Sequence, residues 1–182
     1  MMKKHYRLFL AICLVLFTSC TSVSAADPAG KMQAYFADAK WDGKTIPYAQ
    51  QCARDNGKGA TPPLIIKNIP AETTALIFEY SDRSYTPMDN GGHGKIGYTI
   101  AAGTSEANIP SVPGHTFSLP EGFFLVAAQT NPSWDKAGAY LPPCSGGRGN
   151  YYYVTIKAVA QSADKSQKYR VLATTKLELG RY

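Results

Sequence analysis

At 182 residues, with 45% hydrophobic and 18% charged positions, the chain has the composition of a folded domain, not of a disordered or fibrous one. The formal charge is +6, but Lys3, Lys4 and Arg7 supply half of it, leaving 16 basic against 13 acidic residues (+3) from residue 26 onward. No block of Lys or Arg remains there to follow a phosphate backbone, which argues against a nucleic-acid partner.

The first segment reads as a secretory signal peptide over residues 1–25. A basic start is followed by the apolar run "LFLAICLVLF" and then by the small residues "TSCTSVSA". The apolar run is too short to span a bilayer comfortably. Val23-Ser24-Ala25 fits a cleavage site that leaves Ala26 first, whereas "FTSC" resembles a lipobox that would make Cys20 a lipidated first residue. Both routes end outside the cytoplasm, periplasmic or secreted. Residues 26–182 are then one domain with room for a sizeable core.

The segment "PAGKMQAYFADAKW" (28–41) reads as a short helix. Strands follow at short intervals: "PLIIKNI" (63–69), "TTALIFEYS" (73–81), "KIGYTIAAG" (95–103), "HTFSL" (115–119), "GFFLVAAQT" (122–130), "NYYYVTIKAVAQ" (150–161) and "KYRVLATTKLEL" (168–179). Between them lie turn signals such as "NGKG", "MDNGGHG", "SVPG" and "SADKS". Many short strands separated by Gly and Pro predict an all-β antiparallel sandwich or barrel with few short helices. In "YYYVTIKAV" the set Tyr152, Val154, Ile156 and Ala158 is the more apolar and is assigned to the core face. Residues 83–95 and 131–149 are the two loops long enough to suggest function.

Cys52 and Cys144 are the cysteines beyond the signal segment. In an oxidising compartment an even pair implies a disulfide, with two buried thiols as the alternative. His93 and His115 show no metal-ligand spacing, so no metal or other cofactor is expected.

The ordered motifs resemble the phosphatidylethanolamine-binding proteins (PEBPs), in particular the bacterial Raf-kinase-inhibitor-like branch. "IPYAQQCARDNGKGATPPL" is similar to the family's I-P-x-x-Y-x-C-x-G-x-N-x-S-P-P-L, through Cys52, Pro62, Pro63 and Leu64. "IPAETTALIFEYSD" resembles the stretch that leads into the family's acidic loop, and "NPSWDKAGAYLPPC" matches its G-Y-x-G-P-C segment through Tyr140, Pro143 and Cys144. "YRVLATTKLELGRY" resembles the closing strand. The resemblance implies a Greek-key β-sandwich with an anion-binding pocket at one end. That pocket is lined by the acidic loop, a strand histidine and a C-P-P-x-G-x-H-R-Y loop.

This chain departs from the pattern. Counting from Cys144, the two prolines become Ser145 and Gly146, the loop histidine becomes Asn150 and the Arg after it becomes Tyr151, while Tyr152 matches. Asp82 is the retained carboxylate and Pro87 stands for the acidic loop's last proline. The strand histidine expected near Ile96 or Gly97 is missing, with His93 a few residues earlier as its candidate substitute. Asn in place of an imidazolium loses a charge-assisted bond. Arg148 can restore the charge if it turns inward, and the N–H groups of Gly146, Gly147 and Gly149 can form an anion-binding nest. The candidate ligand-binding set is therefore Asp82, Pro87, His93, Ser145, Arg148, Asn150 and Tyr152, with Asn150 and Tyr152 on one face of a strand. Trp134 and Tyr140 are candidates for the rim, and His115 reads as structural.

The expected function is non-catalytic binding of a small anionic or polar ligand, of the phosphate or phospholipid-headgroup type. The alternative is an interaction or protease-inhibitor-type factor with a protein partner and a vestigial pocket. No G-x-S-x-G or H-E-x-x-H arrangement occurs, so enzymatic activity is not expected.

Overall fold

A computed structural model describes residues 30–131, 133–161 and 168–182; the expected signal peptide lies outside the described residues. In chain order the strands are β1 (Gln33–Phe36), β2 (Leu64–Lys67), β3 (Ala75–Asp82), β4 (Lys95–Thr99), β5 (Glu106–Ile109), β6 (Phe123–Ala127), β7 (Tyr151–Gln161) and β8 (Tyr169–Arg181). Single 3-10 turns at Ala53–Asp55 and Thr86–Met88 are the helical elements among the described residues. The strands form a three-stranded sheet, β1-β2-β5, and a five-stranded sheet, β6-β4-β3-β7-β8. All pairings between these strands are antiparallel. The order β7-β3-β4-β6 is a Greek key, because β7 returns to lie beside β3.

The core follows the period of two. From β3, Leu76, Phe78 and Tyr80 point inward; from β7, Tyr152, Val154, Ile156 and Ala158 do so, as the alternation predicts. They meet Leu64 and Ile66 of β2 and Ile109 of β5, all buried. Each fully buried aliphatic side chain contributes about 1.5–3 kcal/mol. The expected sandwich is therefore the observed one.

Two local expectations fail, and one strand goes unpredicted. The segment "QAYF" is strand β1, not helix, because it pairs in register with β2, Phe36 opposite Leu64. Tertiary pairing outweighs the local propensity of its alanines. The segment "HTFSL" is not a strand: His115 has φ of +60°, a left-handed conformation that ends any extended run. Strand β5, "EANI", carries little β-propensity and exists because β2 offers it an edge.

Candidate functional site

The two inward-facing series run out of apolar residues at the same end of the sheet. On β3 the series 76, 78, 80 closes on Asp82; on β7 the series 158, 156, 154 closes on Tyr152 and, one step beyond the strand, Asn150. Asp82 and Tyr152 are direct partners in the ladder. Polar side chains thus occupy the positions where the core ends. A cavity of about 480 Å³ opens there, within the range of small-ligand sites.

Asp82 is almost fully buried and its two oxygens are individually held. Oδ1 accepts the Ser84 N–H at 2.8 Å and Oδ2 accepts the Asn150 Nδ2–H at 2.6 Å. The Tyr152 hydroxyl accepts the Cys144 N–H at 3.2 Å, which ties the loop after Cys144 to β7. Burial, reinforced by the charge on Asp82, pushes the Tyr152 phenol up and keeps it protonated.

His93 reaches the site through a glycine turn. Its N–H donates to the Tyr80 carbonyl and the Tyr80 N–H donates to Gly94, extending the β3–β4 pairing by one turn. The imidazole is buried edge-on against Tyr152, with centroids 5.3 Å apart. Nδ1 lies 2.7 Å from the Leu141 carbonyl, which only accepts, so Nδ1 carries the proton and Nε2 is the acceptor in the neutral ring. Burial holds the pKa of His93 down, opposed by the Leu141 carbonyl and by Asp82.

A pH dependence follows. In the unfolded chain His93 titrates near 6.5, and in the native state below it. Between those values the unfolded state binds the extra proton, so stability falls as pH drops below about 6.5, by at most about 1.4 kcal/mol per pH unit. Urea denaturation at successive pH values is expected to show this loss in the wild type and a flatter profile in His93→Gln. An unchanged slope in the variant would assign the acid lability elsewhere.

The remaining lining residues are Arg54, Ser84, Tyr85, Trp134, Cys144, Ser145 and Arg148. Cys144 is joined to Cys52 in a disulfide, and Cys52, Met88 and Leu141 form a small second core beneath the site, against which Trp134 packs. Ser145 Oγ donates to the Tyr182 carbonyl at 2.6 Å. Arg148 Nη1 donates to the Ser145 carbonyl at 2.6 Å, and a guanidinium N–H of Arg54 donates to the Cys144 carbonyl. Two cations therefore grip neighbouring carbonyls of one loop.

Six of the seven residues singled out from sequence, Asp82, His93, Ser145, Arg148, Asn150 and Tyr152, line this one cavity. Pro87 does not. It sits exposed in the 3-10 turn Thr86–Met88, which turns Met88 into the second core and leaves the Pro87 carbonyl to accept from Thr130 Oγ1. The three glycines of the expected nest, Gly146, Gly147 and Gly149, all have positive φ, and the Gly146 N–H is spent on Asp55 Oδ2 at 2.8 Å. Tyr140 is core, packed on Tyr80, while Trp134 is at the rim with Tyr85, 5.1 Å between centroids.

His115 is structural. Its Nε2 accepts the Ala53 N–H at 3.1 Å, and Nδ1, which must then carry the proton, donates to the Lys136 carbonyl at 3.2 Å. Its Nε2 also lies 3.5 Å from Asp135 Oδ2, which places the ring between the Ala53–Asp55 turn and the loop that carries Asp135. Arg54, Ser84 and Tyr85 were not singled out from sequence. The signal for Arg54 was the cysteine pair itself, since bonding Cys52 to Cys144 necessarily brings residues 53–55 beside residues 144–148.

No protein-family model and no curated protein sequence matches the chain. Among solved structures it is similar to a protein of Chlamydia trachomatis described as a PEBP homologue, with a TM-score of 0.50 and 23% identity, over 84% of this chain and 97% of that one. The strand order, the end-of-sandwich cavity and this likeness together give the chain the fold of the phosphatidylethanolamine-binding proteins.

Proposed function

We propose that the protein is an exported, non-catalytic binding protein that holds a small ligand with an anionic group in the cavity between Asp82 and the Cys144–Asn150 loop. The observation that carries this reading is the convergence on one polar cavity of two guanidiniums and a set of individually fixed hydrogen-bonding groups. Most of these groups are held by the protein before any ligand arrives, so little ordering is lost on binding. The name of the Chlamydia protein supports a phosphate-bearing headgroup as one source of such a ligand.

A binding role suits the chemistry of the hydroxyls at the site. Ser145 Oγ donates to Tyr182, and Ser84 Oγ accepts the Tyr151 N–H at 3.0 Å. Neither is hydrogen-bonded to His93 among the described residues, whereas a nucleophile needs a base in reach. Export is supported by the apolar leader in the sequence and by the disulfide.

The test is thermal. Inorganic phosphate, glycerol 3-phosphate or phosphoethanolamine is expected to raise the melting temperature of the wild type, because a ligand that binds only the native state stabilises it by mass action. In the double variant Asn150→Ala/Tyr152→Ala that rise is expected to disappear, measured from the variant's own ligand-free melting temperature. No rise in the wild type with any of the three would refute the proposal and favour a role for the surface loops in protein contact.

A further inference from the structure

We infer that the chain with Cys52 and Cys144 reduced holds one Zn²⁺ between the two thiolates, the Asp135 carboxylate and the His115 imidazole. Metal and disulfide are then alternative staples for the same segments. One ligand atom from each of Cys52, Cys144 and Asp135 lies within 4.8 Å of the other two. Nε2 of His115 is 3.5 Å from Asp135 Oδ2. The four residues are spread from position 52 to position 144, which is why no ligand spacing shows in the sequence.

The donor set suits zinc. Thiolate, imidazole and carboxylate all ligate it, and a pair of soft thiolates selects it over magnesium or calcium. Bonds of about 2.0–2.3 Å put the corners of a zinc tetrahedron about 3.3–3.8 Å apart. The Asp135–His115 approach already has that span, and both side chains are nearly buried, as are the cysteines. The ring is also oriented from behind. Nδ1 lies 3.2 Å from the Lys136 carbonyl, the contact by which a ligating histidine presents Nε2 to a metal. Asp135 accepts the Arg54 N–H on Oδ2 at 2.9 Å and the Lys136 N–H on Oδ1 at 2.7 Å, so each oxygen keeps a lone pair. The Ala53 N–H, which serves Nε2 at 3.1 Å, also faces Asp135 and passes to it when Nε2 takes the metal.

Charge and access agree with this. Two thiolates and a carboxylate against Zn²⁺ leave one negative charge, and the Arg54 guanidinium, bound to the Cys144 carbonyl, supplies the balancing positive one. Cys144 also lines the cavity, which gives the metal a way in and a freed sulfur room to turn. In the disulfide the two sulfurs are bonded to each other and offer no thiolate. The redox step balances with a dithiol as reductant. The dithiol attacks one sulfur and closes to its own disulfide, leaving both cysteines as thiols. Zn²⁺ then takes the two sulfurs and releases their protons.

Cobalt titration of the secreted chain tests this, after reduction by a dithiol that is removed under argon. Co²⁺ in a tetrahedral thiolate site gives a strong visible band and a thiolate-to-metal band in the ultraviolet. The reduced wild type is expected to show both at one Co²⁺ per chain and to lose them when Zn²⁺ displaces the cobalt. One equivalent of zinc is expected to raise its melting temperature by several degrees, or to restore its β-sheet circular dichroism if reduction alone unfolds it. The oxidised wild type is expected to show neither band. Asp135→Ala and His115→Gln, whose melting curves in the oxidised state show that each is folded, are each expected to weaken cobalt binding by roughly tenfold or more, because even groups behind a ligand cost that much. No tetrahedral band from the reduced wild type, a band that persists in the oxidised chain, or an affinity unchanged in either variant would overturn the inference. So would a reduced chain that zinc neither stabilises nor refolds.

Discussion

Removing the Cys52–Cys144 disulfide, as Cys52→Ala/Cys144→Ala or by reduction, is expected to lower stability by about 4–5 kcal/mol and the melting temperature by roughly 10–15 °C. The bond joins residues separated by 92 positions, so the unfolded chain it constrains is a large loop, and releasing that loop restores much conformational freedom to the unfolded state. A local effect adds to the entropic one. The two sulfurs, Met88 and Leu141 are the second core, and without the bond the Ala53–Asp55 turn is held against the Cys144–Asn150 loop only by noncovalent contacts, among them the Gly146 N–H on Asp55 and Arg54 on the Cys144 carbonyl. Urea denaturation with and without reductant measures the change. A midpoint that moves by less than a fifth of the expected shift would mean that the unfolded chain is already compact around these segments.

The second large effect is a matched pair of glycine substitutions. Gly94→Ala is expected to cost roughly 3–5 kcal/mol, whereas Gly147→Ala costs roughly 1–2 kcal/mol, although both glycines have positive φ. At Gly94, φ is +119° and an added Cβ would collide with the carbonyl of Ala139, a backbone atom that cannot rotate away. At Gly147, φ is +74° and no atom lies within 4 Å of the same Cβ, so only the left-handed strain remains. Gly94 is also the residue that lets β4 turn tightly enough to deliver His93 beneath the Leu141 carbonyl. Denaturant titration gives both costs. The His93 imidazole NMR signals are expected to shift in Gly94→Ala and to stay in place in Gly147→Ala. Equal costs for the two substitutions would show that the contact at Ala139 relaxes without penalty.

Much of the architecture was legible because strand periodicity is a local property. The alternation of Tyr152, Val154, Ile156 and Ala158 against their neighbours identified the buried face of β7, and extending it by one step put Asn150 on that face. The resemblance to the PEBPs brought Asp82 to the same end of the molecule. The placement of His93 was open from sequence alone, since nothing local decides whether a glycine-rich loop folds back or stays in solvent. The ladder bonds to Tyr80 and the acceptor at Leu141, 48 residues away, decide it. The same applies to the supposed glycine nest: backbone conformation was predictable from the glycines, but the carboxylate that occupies its first N–H comes from Asp55, 91 residues earlier.

By itself the sequence determined the all-β class, the inward face of the longest strands, the cysteine pair and the polar residues at which the core series stop. Each of these depends on neighbours one or two positions away, or on a count. Only the tertiary structure decided that "QAYF" is a strand and "HTFSL" is not, that Pro87 lies outside the cavity, and that Arg54 stands beside Arg148 across one opening. Those outcomes depend on edges, carbonyls and charges supplied by distant segments, whose energies enter only when the chain has closed on itself.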